Sequence, residues 1–266
     1  MRKLLLIPST FTGEKRDQKI RIFLISQLAR AIVNFGINEV GIYYDDDPKF
    51  NSHGLGKFIL KVLKYLNTPP YIRKIAFPID KELKYIGSAL PLNVYYHKDR
   101  TRYEYVYILK REKDKFYVTN GEEKFYVNIN KKYRKTNILI YDKINKKLLY
   151  PYETEFYFGY EVFYYNKTLE ELIKKLKEEN FYLIATSRYG EDIKNAKIEK
   201  KDKIAITFGS FARGIEDMIK NWKEKFDISI NICPGQKLET IRTEEAVYYT
   251  LSLLHYKEII WIINFW

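Results

Sequence analysis

Cysteine is almost missing from this chain: Cys233 is the only one in 266 residues. It has no partner for an intramolecular disulfide, which fits a reducing compartment and predicts a cytoplasmic protein. Histidine is scarce as well. His53, His97 and His255 lie far apart and, with one cysteine, give no cluster of zinc-ligand spacing, so no metal is expected. Long apolar runs are absent. The N-terminal MRKLLLIPST carries an apolar stretch, Leu4 to Ile7, too short for the core of a signal peptide, and no small-residue cleavage site follows. The C-terminal IIWIINFW (259–266) is far short of a membrane span and reads as a buried last strand or an interface segment. Neither G-x-G-x-x-G nor G-x-x-x-x-G-K-[ST] occurs, which disfavours a dinucleotide oxidoreductase and a P-loop enzyme.

What is abundant is positive charge on a globular composition. The formal net charge is +13 and 46% of residues are hydrophobic. Such a surplus attracts polyanions by counterion release and steering; RNA, DNA and an anionic membrane surface all fit. The length suits one large domain, or one carrying a smaller one.

The apolar pattern predicts an α/β order at both ends of the chain. Strands are expected at 3–7, 40–44, 182–186, 203–208 and 228–232. Helices are expected at 17–35, 56–66, 169–177, 215–225 and 243–254, and a last strand at 259–263. Gly36 should stop the first helix, and Pro69 and Pro70 the second. Between 91 and 157 helical periodicity vanishes. Short β-rich runs appear at 103–110, 115–119, 123–129 and 137–141, with an Asn120-Gly121 hairpin signal. This stretch reads as an inserted small β-barrel of OB type, dividing an outer domain into 1–90 and 158–266. Residues 91–155 hold fifteen lysines and arginines against nine aspartates and glutamates, interleaved with tyrosine and phenylalanine. Cations among stacking faces suit single-stranded nucleic acid.

Three loops follow strands in the last third: TSRYG (186–190), FGSFARG (208–214) and NICPGQKLETIRT (231–243). Each has a glycine where a ligand could approach the backbone, and ligands of open α/β sheets sit beyond the carboxyl ends of strands. Pro234 and Gly235 predict a rigid turn. Thr243 is placed to cap the next helix, with Glu244 and Glu245 favouring its dipole. Arg242 has no evident helical role and is the better functional candidate.

The run NICPGQKLETIRTEEAVYYTLSLL (231–254) resembles the C-terminal motif of SPOUT-class RNA methyltransferases, in the archaeal and eukaryotic branch that carries an inserted β-barrel. LLLIPST (4–10), QLARAIVNFGINEVGIYYDD (27–46), LKYLNTPPYIRKIAFPIDKELKYIGSALPLN (63–93), FYFGYEV (156–162) and ATSRYG (185–190) match the same pattern, so the resemblance covers nearly all of the chain outside the insert. It implies a SPOUT α/β-knot domain with a mostly parallel sheet, a trefoil knot at about 181–257, and a homodimer. It also implies S-adenosylmethionine as cofactor and RNA, in particular ribosomal RNA, as substrate. Methyl transfer would be to a base nitrogen or ribose oxygen. The implied cofactor pocket comprises Thr186, Arg188, Gly209, Ser210, Asn231, Ile232, Pro234, Gly235, Thr240, Ile241, Arg242, Thr243 and Ala246. Arg188 and Arg242 are candidate charge stabilisers and Glu244 a candidate base. His97, in NVYYHKDR, is a candidate substrate contact. The competing expectation is an RNA-binding or ribosome-assembly protein of weak activity. Intact glycine loops argue against it.

Overall fold

The computed structural model describes residues 1–129, 131–133 and 136–260. Its first strand, β1 (Arg2–Pro8), has six consecutive buried residues, the mark of a parallel strand covered on both faces. After it come α1 (Gln18–Asn34), β2 (Glu39–Tyr43), α2 (Ser52–Asn67) and α3 (Pro70–Ala76). A β-rich stretch then holds β3 (Tyr103–Arg111), β4 (Lys115–Thr119), β5 (Lys124–Asn128), β6 (Ile138–Asp142) and β7 (Lys147–Leu149). The rest of the chain forms β8 (Glu161–Tyr164), α4 (Leu169–Glu178), β9 (Tyr182–Asp192), β10 (Lys203–Thr207), α5 (Ile215–Met218), α6 (Trp222–Lys225), β11 (Ile228–Asn231) and α7 (Thr243–Tyr256).

Six strands make one sheet in the order β11-β9-β10-β1-β2-β8, every pairing parallel. Side chains alternate across it. Leu5, Ile7, Ile184, Ile204 and Ile206 pack under α1, α2 and α7, while Leu4, Leu6, Leu183, Ala185 and Ala205 pack under α4, α5 and α6. The α/β class read from the sequence therefore holds, with helices on both faces.

The second sheet is antiparallel, in the order β5-β4-β3-β6-β7. Tyr103 to Tyr107 of β3 pair with β6, Tyr107 to Arg111 pair with β4, and the register shifts between Ile108 and Lys110. A bulge bends a strand, so β3 serves two partners and the sheet curls. Asn67 at the end of α2 joins the sheets. Its amide donates to the Tyr160 carbonyl (2.8 Å) and to the Tyr105 hydroxyl (3.2 Å), and accepts from the Tyr96 hydroxyl (3.0 Å). At this junction Gly159 has φ +87°, and a Cβ there would lie 2.2 Å from the Tyr105 hydroxyl, so only glycine fits.

Several boundaries differ from the sequence reading. The helix expected from residue 56 begins at Ser52, because the Asn51 side chain caps it by accepting from Gly54 N–H (3.0 Å). Pro70 starts α3 as well as following α2, since proline suits a first turn whose N–H needs no partner. The helix expected over 215–225 is two short ones, interrupted near Asn221 at φ +52°. Strands β7 and β8 were not among those expected. Ile259 and Ile260 are buried but belong to no strand, and the remainder of the expected last strand lies outside the described residues.

Candidate functional site

The C-terminal ends of β9, β10 and β11 open into a cleft of about 270 Å3. Thr186, Arg188, Gly209, Ser210, Asn231, Ile232, Thr240, Ile241, Thr243 and Ala246, named from three separated stretches of sequence, all line it. Pro234, Gly235 and Arg242 do not.

Each wall is held by its own set of contacts. In the first, strand β9 runs on through Asp192, so residues 186–190 are strand and not the loop expected. A Cβ on Gly190 would sit 2.5 Å from the Ile230 carbonyl carbon. This glycine therefore admits β11, whose register against β9 shifts at Ser229/Ile230, rather than a ligand. Thr186 Oγ1 donates to the Thr207 carbonyl (2.8 Å), and the Asn231 amide donates to the Arg188 carbonyl (2.8 Å), tying β9 to both neighbours.

The second wall, 208–214, folds on itself. Ser210 N–H donates to the Arg213 carbonyl (2.9 Å), and Arg213 N–H donates back to Ser210 Oγ (3.0 Å). Gly209 has no room for a side chain, since a Cβ would lie 2.9 Å from the Arg213 carbonyl oxygen. Arg213 reaches 168 positions back along the chain to pair with Asp45, and also pairs with Asp46 (2.6 Å). Burial disfavours the charged guanidinium, but the hydrogen bonds it donates to Asp46 and Asp45 outweigh it and hold its pKa above the ordinary value. Asp45 is fully buried and also accepts from the Thr10 hydroxyl. The Tyr43 hydroxyl donates to the Phe208 carbonyl (2.8 Å). The ends of β1 and β2 thus hold this wall in place.

In the third wall, Gln236 N–H donates to the Cys233 carbonyl (3.1 Å) and Gly235 has φ +74°. This is the turn expected of Pro-Gly, with glycine at the position needing positive φ. A Cβ on Gly235 would meet nothing within 4 Å, so within the fold the glycine is required by its backbone conformation and not by crowding. The cap of α7 is corrected too. Arg242 is the capping residue and its N–H is accepted by the Glu245 carboxylate (3.0 Å). Thr243 lies inside the helix, and its hydroxyl donates to the Gly209 carbonyl (3.1 Å), joining the third wall to the second.

The three candidate catalytic side chains are placed differently. Arg188 stands exposed at the cleft rim, donating to the Glu239 carbonyl (3.2 Å). Arg242 is ion-paired with Glu14. Glu244 lies outside the cleft lining. Burial pushes its carboxyl up, against a smaller opposing effect from Arg242. Sequence reasoning missed Glu216, which lines the cleft and accepts from Ser187 Oγ (3.0 Å), along with Phe208, Phe211 and Arg213. Glu216 looks like an ordinary first-turn acid, and nothing local ties Arg213 to Asp45.

His97 is engaged in the fold: its Nε2 lies 2.9 Å from the Asn67 carbonyl, and burial lowers its pKa to about 4. Among the described residues no group of three His, Cys, Asp or Glu side chains could hold a metal ion, and no helix is long and apolar enough to cross a membrane.

A 28S rRNA (uridine-N(3))-methyltransferase of Drosophila melanogaster is 25% identical over 94% of this chain and 61% of its own length. The human protein of the same name is 23% identical over 93% of this chain and 76% of its own. The chain thus spans about three fifths of the fly relative. A solved structure from Porphyromonas gingivalis, described as a putative RNA methyltransferase of the TrmH family, covers 95% of this chain and is covered over 59% of its own, at 9% identity and a TM-score of 0.42. The family model described as "Putative RNA methyltransferase" matches residues 3–254, and the chain belongs to that family.

Proposed function

We propose that the protein is an S-adenosylmethionine-dependent methyltransferase of the SPOUT class that modifies ribosomal RNA in the cytoplasm. The observation carrying this reading is the convergence of ten residues from three separate segments on one cleft at the strand ends. The cleft suits the cofactor. Ile232, Ile241 and Ala246 offer apolar surface to a base, Thr186, Ser187 and Asn231 offer hydrogen bonds to a ribose, and Arg188 and Glu216 complement a zwitterionic amino acid. The relatives' name makes N3 of a uridine the acceptor we favour.

When bound, S-adenosylmethionine supplies a methyl carbon made electrophilic by its sulfonium. Transfer to N3 of a uridine would require that nitrogen to lose its proton, and the cleft residues would align it with the methyl donor. Arg188, at the rim, stabilises the charge developing on the uracil. Arg242 is offset by Glu14 and serves chiefly to hold the start of α7. Glu244, made more basic by burial, is the group we assign to take the proton, through water because it does not line the cleft.

Two features favour a knot over about 181–257. From β10 the chain passes beyond β9 to form β11, and α7 then returns to α1, where the Tyr248 hydroxyl donates to the Gln27 carbonyl (3.1 Å). Ile20 and Phe23 of α1 and Tyr249 of α7 are exposed, which suits a homodimer, and sedimentation as a monomer would remove that part of the reading. The curled insert, 91–157, is the OB-like RNA-binding part: on β4 and β5, Tyr117 and Tyr126 lie 4.8 Å apart with the Lys115 ammonium over Tyr126. Calorimetry tests the cofactor. Binding of S-adenosylmethionine or its demethylated product is expected, and no heat with either at millimolar ligand would sink the proposal.

A further inference from the structure

Beside the cofactor cleft lies a second, of about 510 Å3, between the loop after β1, the start of α1 and the start of α2. Arg16, Arg21 and Lys49 line it. Among the described residues none of the three has a carboxylate within ion-pair distance. The one acid on its wall, Glu82, is already held by Lys61, which also pairs with Asp80 (2.6 Å). Arg21 is half-buried, its Nε donating to the Lys15 carbonyl (2.5 Å), and burial lowers its pKa. Three cations of one sign around a concavity repel each other, and one of them is partly desolvated. An anion there would relieve both costs.

The two clefts adjoin. Phe50 of the second meets Phe211 of the first, ring centroids 5.5 Å apart and nearly perpendicular. The Glu14–Arg242 ion pair closes the boundary between the β1 loop and α7. A strand whose base enters the cofactor cleft would therefore pass over Arg16, Arg21 and Lys49. We infer that this second cleft holds the phosphodiester backbone of the RNA strand next to the acceptor nucleotide. The guanidinium forks engage phosphate oxygens, and Phe50 offers a face to a neighbouring base. This inference rests on the RNA methyltransferase reading above.

The test uses the full chain and a fluorescein-labelled oligouridylate, titrated at several salt concentrations. The triple variant R16A/R21A/K49A is compared with K174A/K220A/K223A, which removes the same charge from exposed lysines around α4, α5 and α6. The first should weaken binding about tenfold and make the log–log salt slope shallower by about 2, at roughly 0.7 per lost single-strand contact. The second should leave the slope near wild type. S-adenosylmethionine binding and the unfolding midpoint check that both variants are folded, and R21K, which keeps the charge, should retain most of the slope. Equal slopes in the two triple variants would overturn the subsite while leaving the methyltransferase reading standing. Wild-type protein that binds the cofactor but no RNA would refute the reading and the subsite together.

Discussion

Replacing Arg213 by methionine removes the only cation paired with Asp45 among the described residues and leaves, among them, the Thr10 hydroxyl as the remaining side-chain donor to this fully buried carboxylate. Truncating one partner of a buried ion pair costs about 3–5 kcal/mol, because the other charge stays buried and uncompensated. Arg213 is itself 27% exposed, so water can replace part of the loss. We therefore expect R213M to destabilise by about 2–3 kcal/mol. D45N keeps the shape and removes the charge, so D45N/R213M should recover part of this, with a coupling of at least about 1 kcal/mol. Urea unfolding of the four proteins of the cycle measures it. The same pair holds the 208–214 wall, so R213M should also weaken S-adenosylmethionine binding in calorimetry. Additivity of the two single variants within about 0.5 kcal/mol would refute the claim that Asp45 and Arg213 act as a unit.

His97 makes stability depend on pH. Its pKa falls from 6.5 to about 4 on folding because burial disfavours the cation. The neutral ring is the form the fold accommodates, so stability is intact above about 6.5 and drains away as pH falls toward 4, by on the order of 3 kcal/mol. H97Q should flatten the chemical-denaturation midpoint across that window, and an unchanged pH profile would contradict the assignment. Glycines 209 and 235 should separate by mechanism. G209A forces a Cβ against the Arg213 carbonyl and should lower cofactor affinity, whereas G235A meets open space and should cost only about 1 kcal/mol of backbone strain. Equal effects of the two on calorimetric binding would count against this division.

The elements legible in the sequence were those whose cause is local. A continuous apolar run made β1, an amphipathic period made α2 and α4, and Thr168 with Glu171 closed a capping box at the start of α4. The turn at Pro234-Gly235 was legible for the same reason: it depends on proline's fixed φ and glycine's tolerance of positive φ. The length of β9 was not, because SRYGED is polar and turn-like, and only pairing with β11 keeps it extended.

Which residues could form the site was a property of the chain order, since the α/β pattern brings β9, β10 and β11 to one side of a parallel sheet with their C-terminal parts at the same edge. How they form it was decided in three dimensions. The Thr243 hydroxyl caps nothing and instead holds the Gly209 carbonyl. Arg242 is offset by Glu14, leaving Arg188 as the cation at the rim. The Arg213–Asp45 pair spans 168 positions. Propensity, capping and turn chemistry act over a few residues and can be read from neighbours. Charge pairing and cleft shape depend on which distant segments meet, and the parallel sheet alone determines that.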